Sequence, residues 1–441
     1  MLIKYRNIQI ILVIISYLVN AQSFDIYDNS IQLKDWNYNF HQHKYSNSFH
    51  SSAKSVKLEN KTNELLDPII QLNSSERLIL SFDILDTESK SYAYTFIHCS
   101  NNWEYSDIIQ SEYLIGFFDN YINDYEYSFN TISPYVHYTF SFPNENINFT
   151  KSGNYILLVY DVEQNKPIIT KRFMVHEQIL SINMRVKKAT LSKDMMEKQE
   201  VDFYIEGHQK LNITDPHNDL KIIVQKNDDW NNTIKNCKPN FIYNNKLEYD
   251  YQGEISFLGG SEYRDFDIKS LRYYGENIRS IEQYSLQGVN IYSVILQNDK
   301  IKYADEYEFK YDLNGKYVLS ISENRNKYTE GDYALVKFTL KSNKIENDDI
   351  YIYGELTNWN ITEEGKMNYN EKNKEYYAFL YLKQGYYNYQ YVLNIKDEIL
   401  ILDGNYHETR NQYSIYAYHT PPWANYDRLV GVAKSTSNAL N

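Results

Sequence analysis

The chain is broken into short runs of alternating apolar and polar residues, with Asn, Asp, Gly or Ser at almost every interruption. Strand-like runs of this length occur at 78–82, 156–160, 201–205, 220–224, 336–340 and 387–393. A period of two over four to eight residues, closed by turn formers, is the pattern of a half-buried strand. Beyond the N-terminal apolar run, no stretch sustains the 3.6-residue period of an amphipathic helix. The chain is therefore expected to be all-β.

Its 441 residues exceed what one sandwich holds, since an immunoglobulin-like unit takes about 100. Trp103, Trp230 and Trp359 each follow a strand-like run and a polar turn, at intervals of 127 and 129 residues. A Trp just past a turn can cap the open end of a sandwich while its N–H finds a partner. The spacing predicts tandem immunoglobulin-like β-sandwiches of early-set or fibronectin-like type, arranged as a rod. The expected divisions are a signal peptide at 1–21, an arm at 22–60, and domains at 61–176, 177–325 and 326–441.

The leader sets the compartment. Lys4 and Arg6 precede an apolar run at 8–19, and Val19-Asn20-Ala21 places small residues where a signal peptidase reads. The run is short for a bilayer, which needs about 20 residues. No cysteine follows the cleavage position, so no lipid anchor is expected. Removing Lys4 and Arg6, and no acid, takes the net charge from −13 to −15. That balance excludes phosphate-backbone binding, which needs clustered Lys and Arg, and disfavours anionic lipid head groups. Cys99 and Cys237 are the only cysteines. Export permits a disulfide between them, but they fall in different expected domains, and two buried thiols is the plainer reading. They do not make a zinc site. Tyrosine, at 46 residues, is read mainly as strand filler, because it suits a pleated, half-buried surface.

No constellation for chemistry emerges. Asp265 and Asp267 share one strand face but are flanked by Arg264, Lys269 and Arg272, which predicts ion pairs across a domain interface. His41-Gln42-His43 with His50 is a loose set among Asn and Ser. Asp312-Leu313-Asn314-Gly315 reads as a turn. There is no Gly-rich phosphate loop and no nucleophile elbow. Catalytic, cofactor-binding and metal sites are expected to be absent, and the chain is not expected to be an enzyme.

Two resemblances add to this. The order Ile350-Tyr351-Ile352-Tyr353-Gly354, Asn358-Trp359, then Gly385-Tyr386-Tyr387-Asn388-Tyr389-Gln390-Tyr391 resembles the early-set immunoglobulin domain of glycogen-binding modules. Trp359 fits the first sugar-stacking position of those modules. Gln390 stands where their lysine is expected, and 396–402 offers no second Trp. The likeness implies the fold more than the ligand, and Trp359 reads as a structural cap before a sugar platform.

The second resemblance covers most of the chain. It rests on Tyr92-Ala93-Tyr94-Thr95-Phe96-Ile97-His98-Cys99, Leu114-Ile115-Gly116-Phe117 and Lys151-Ser152-Gly153-Asn154-Tyr155. Phe257-Leu258-Gly259-Gly260-Ser261-Glu262-Tyr263-Arg264-Asp265 and Pro421-Pro422-Trp423-Ala424-Asn425-Tyr426-Asp427-Arg428 extend it. This succession resembles the type IX secretion system plug protein family of the Bacteroidetes. The resemblance implies a periplasmic protein at the inner side of the outer membrane. It would close the pore of the outer-membrane translocon barrel when no cargo is in transit, and be monomeric when free. The rival functions are a carbohydrate-binding accessory protein using the last domain, and an envelope scaffold that blocks nothing. Pro421, Pro422, Trp423, Tyr426 and Arg428 are the first candidate contact. Prolines stiffen an extended segment, and Trp, Tyr and Arg are enriched at hot spots. The alternative is that Trp423 and Tyr426 pack the tail onto its own domain.

Overall fold

The computed structural model describes residues 24–38, 53–286, 289–302, 307–323, 325–395 and 398–437. Nearly all of its regular structure is strand, in mainly antiparallel sheets that pack as sandwiches, with two four-residue α-helices, Gln110–Tyr113 and Pro216–Asp219, and two short 3-10 turns, His208–Leu211 and Glu355–Thr357. The expected signal peptide and His41, Gln42, His43 and His50 lie outside the described residues. Among the described residues no helix is long and apolar enough to cross a membrane.

The first sandwich uses residues 53–176. One sheet runs Lys166–His176, Gly153–Asp161, Tyr92–Cys99 and Asn120–Tyr121. The facing sheet runs Ala53–Asn60, Leu78–Ile84, Val136–Phe142 and Tyr125–Tyr127. The strand at 53–60 thus belongs to this domain and not to the arm, of which Trp36–Asn37 pairs beside Ile169 and Thr170. Every residue of Gly153–Asp161 is buried, because successive side chains point to opposite faces and both faces are covered. Tyr155, Leu157 and Val159 enter the sandwich core with Phe96, Phe142 and Phe173. Ile156, Leu158 and Tyr160 face the other way, into a cluster with Phe24, Ile223, Tyr416 and Leu429.

That second cluster joins the first domain to the next, whose composition corrects the expected boundary near 326. One sheet of the second domain runs Asp229–Cys237, Leu220–Lys226, Gln412–His419 and Arg428–Thr436. Leu220 pairs with His419, and the register continues to Lys226 opposite Tyr413. Leu220–Lys226 buries Ile222, Ile223 and Val224 completely, so it needs a partner on each edge, and the C-terminal strands supply one. The expected domain 326–441 is therefore divided. Residues 260–403 form the third sandwich, inserted into the second, and the last two strands return. Nothing local marks a pairing between strands so far apart in sequence.

The two crossings between the second and third domains lie against each other. A Cβ on Gly259 would meet the Tyr406 carbonyl at 1.9 Å, so the outgoing chain must be glycine for the returning one to pass. Tyr406 N–H and Thr409 Oγ1 both donate to the Gly260 carbonyl, at 2.9 and 2.8 Å. Asn411 Nδ2 donates to the Gly259 carbonyl at 2.8 Å.

The expected rod is also corrected: the first domain touches the third directly. Phe129 N–H donates to Thr329 O, the Tyr135 hydroxyl donates to Gly331 O at 2.9 Å, and Leu85, Tyr135, Tyr333 and Tyr381 form one buried cluster. The three domains meet pairwise as a closed body. A fragment of residues 326–441 is expected to stay unfolded, since its last strands lack Leu220–Lys226. A fragment of residues 260–403 is expected to give a dispersed amide NMR spectrum; a cooperative melt from 326–441 would contradict this topology.

Candidate functional site

The C-terminal loop that carries the expected contact residues is stapled to the first domain at its returning end, through Tyr426, Asp427 and Arg428. Asp427 is buried and accepts from Asn101 N–H at 2.9 Å and from Lys221 Nζ at 2.6 Å. Burial alone would raise its carboxyl; these donors outweigh that and hold it below the usual range. Arg428 grips Glu177 with Nε and Nη2 at 3.0 and 2.7 Å, a two-pronged pair whose geometry is specific. The Tyr426 ring lies edge-on to His98 at 5.5 Å, with Lys151 Nζ 5.6 Å from its centroid. Pro421 is buried, and Ala424 N–H closes a turn onto its carbonyl. Of the five expected contact residues only Pro422 and Trp423 project, Trp423 being 74% exposed.

Where the three domains meet, charge is concentrated. Asp67 of the first domain and Asp228 of the second share Lys316 of the third, at 3.1 and 2.6 Å. Lys434, on the last strand, reaches both carboxylates. Burial pushes the Asp67 carboxyl up, but the two ammonium groups outweigh it and hold it well below the usual range. Nearby, Lys383 Nζ of the third domain lies 2.6 Å from Asp83 Oδ2 of the first, each side chain 1% exposed. Asp83 also takes His137 Nδ1 at 2.6 Å and the Tyr333 hydroxyl at 2.7 Å. Burial would raise this carboxyl too, and Lys383 with His137 more than offsets it. Lys57 and Glu355 add a third pair across the same seam, at 2.7 Å.

The tryptophans do not occupy one repeated position. Trp103 and Trp230 pack edge to face at 4.9 Å across the first and second domains, with the Arg172 guanidinium 4.6 Å over Trp103. Trp359 is a cap of the third domain. It is buried beside Tyr353 and Tyr263, and a Cβ on Gly315 would strike its ring at 2.3 Å. Gly315 has φ +85°, so glycine serves both the turn and the ring. Gln390 is buried as well. No face of Trp359 is open for a sugar.

The remaining chemical candidates are held by ion pairs. Asp265 is bonded by Lys310 at 2.7 Å and by Asn277 and Tyr386; Asp267 pairs with Lys269 at 2.9 Å. These contacts lie within the third domain and do not cross an interface, contrary to expectation. Glu200, Asp202 and Asp250 lie close enough to hold a cation, but Lys187 bridges all three. Cys99 and Cys237 are separate, buried free thiols; burial pushes each up to about 12. The junction ions were missed in the sequence because their partners lie in different domains.

The sequence profile for the type 9 secretion system plug protein 1st domain matches residues 53–177, the span of the first sandwich. A crystal structure of a hypothetical protein from Parabacteroides merdae superposes with a TM-score of 0.84 at 31% identity, over 92% of this chain and 100% of that one. The C-terminal domain of the antigen I/II-family protein AspA from Streptococcus pyogenes aligns at a TM-score of 0.18 and 6% identity, over 88% of this chain and 99% of that one; this carries no argument. No curated protein matches.

Two outcomes test the junction and the cap. Lys383→Ala leaves a buried carboxylate without its cation and should cost about 3–5 kcal/mol in denaturant melts. Trp359→Ala should cost about 3–5 kcal/mol, as for emptying a large aromatic from a core, with no change in glucan retention. Asp67→Asn adds a pH test. Because the folded carboxyl is depressed, its stabilisation is present above the unfolded value and lost as pH falls through the folded one. The variant should therefore be less stable than wild type near neutrality, and the gap should close as pH drops below the carboxylate range.

Proposed function

The chain belongs to the type 9 secretion system plug family, and on that premise we propose that it closes the pore of the outer-membrane translocon from the periplasmic side when no cargo is in transit. The observation that carries this reading is the family match over 53–177. The family and the all-β architecture support a structural role and not a catalytic one. A translocon that passes folded cargo needs a wide lumen, and a stopper for it must resist deformation. A body whose three sandwiches are tied to one another by buried ion pairs is suited to that task, since its ordering cost is met before it binds. The leader supports export, and the partner is the translocon barrel protein at the inner side of the outer membrane. Of the expected contact residues, Pro422 and Trp423 remain available to a partner, while Pro421, Tyr426 and Arg428 support the loop that presents them. The buried Trp359 ring weighs against the carbohydrate-binding alternative.

Deleting the protein should let large hydrophilic antibiotics cross the outer membrane, and deleting the barrel as well should abolish the leak. A deletion strain that stays tight while the translocon is present would overturn the plug reading.

A further inference from the structure

From Lys90 to Lys151 the chain carries no lysine or arginine between the two, but seven acids, among them Glu112, Asp124 and Glu126. Among the described residues none of the seven is in an ion pair, whereas other acids of the same domain, Asp67, Asp83 and Asp86 among them, are paired. The same stretch exposes its apolar side chains: Ile109, Ile115, Phe117, Tyr121, Tyr127 and Phe129 are each more than half exposed. Topology gathers several of them along one open side of the first sandwich. Asn120–Tyr121 is the outermost strand of one sheet and Tyr125–Tyr127 the outermost strand of the facing sheet, both at the end remote from Trp36–Asn37 and Ala53–Asn60. Beside Tyr125–Tyr127 runs an open groove of about 520 Å³, lined by Asp124, Tyr125, Glu126 and His137 and walled by Tyr328 of the third domain.

Contiguous exposed apolar surface rimmed by polar groups marks an interaction site. Here the stretch itself contributes seven acids and no lysine or arginine, which selects the partner. Anionic lipid and nucleic acid are repelled. A second copy is disfavoured, because a two-fold contact sets a patch against itself and would oppose acid to acid. Paired carboxylates beside aromatic faces are what an ammonium or guanidinium seeks.

We propose that this side of the first domain is a docking surface for a protein segment carrying lysine or arginine beside apolar side chains, with one cation entering the Asp124–Glu126 groove. Only the identity of the protein bearing that segment, the translocon, rests on the plug reading.

The test measures affinity of the full-length chain for the detergent-solubilised translocon, and separately for a synthetic arginine–tryptophan peptide. Asp124→Lys/Glu126→Lys and Phe117→Ser/Tyr121→Ser should each weaken both by about tenfold or more, with unchanged melting temperature, and wild-type affinity should fall as salt rises. Phe241→Ser/Tyr243→Ser, on the second domain, should change neither. If wild type binds the translocon and the first-domain variants bind it equally well, the surface is wrong and the plug reading stands. If wild type ignores the translocon but the peptide binds and is lost in the charge variant, the plug reading falls and the surface stands. Peptide binding that is absent from wild type, or indifferent to Asp124→Lys/Glu126→Lys, overturns the surface. So does self-association or binding to phosphatidylglycerol vesicles that the variants remove.

Discussion

The pairing of Leu220–Lys226 with Gln412–His419 governs the remaining architecture. Because the second domain is completed by the end of the chain, everything inserted between must leave and return at one place. That is why Gly259 and Tyr406 touch, and why two crossings instead of one flexible linker hold the third domain. A doubly tethered domain has far fewer orientations than a singly tethered one, and the first domain closes the remaining freedom. The return also carries the last strand to the first domain, where Arg428 meets Glu177 and Leu429 enters the apolar junction.

The seams differ in chemistry. First and second domains meet through Ile97, Ile156, Leu158, Tyr416 and Leu429, a surface that water would not tolerate exposed. First and third meet through Asp83 and Lys383, Lys57 and Glu355, and Asp67 and Lys316. A buried ion pair adds little net stability over an apolar replacement, yet losing one partner is costly. Such a seam specifies one arrangement of two domains more than it glues them together. Beside these ions the seam buries a small cluster of Leu85, Tyr135, Tyr333 and Tyr381, so it is mixed in character where the seam with the second domain is mainly apolar.

The strands were legible because their burial is local. The run at 156–160 is apolar throughout, as suits a strand covered on both faces, and the structure buries its two faces in two different clusters. The role of Trp359 as a cap was legible from its turn. What escaped was everything set by long-range pairing. Trp103 and Trp230 keep an even spacing with Trp359, yet they pack against each other, so the interval reflects no common position. Tyr426 and Arg428 have the composition of a hot spot, but Glu177 and His98, more than 200 residues away, decide that they serve the fold. The acidic run between Lys90 and Lys151 was visible as composition; its exposure was not, since Tyr121 and Tyr127 alternate like any half-buried strand residue.

The tyrosine surplus takes on a different meaning in this light. Every one of the largest fully buried side chains is a tyrosine, so these rings do more than fill pleats. A Tyr buries an apolar ring but needs a partner for its hydroxyl, and several buried tyrosine hydroxyls end on another domain. Tyr333 reaches Asp83, Tyr353 reaches Asp229, Tyr418 reaches Asn154, and Tyr381 meets Ser133. With Phe at 333 the volume would be nearly kept, but buried Asp83 would lose one of its three donors and be left with Lys383 and His137, and a lost hydrogen bond to a charged group weakens the fold. Each such hydroxyl thus makes the fit between domains directional, which apolar packing alone does not. A chain with few glycines and prolines, and two cysteines that stay unpaired, obtains its rigid three-domain shape from rings that are apolar inside each sandwich and polar at its seams.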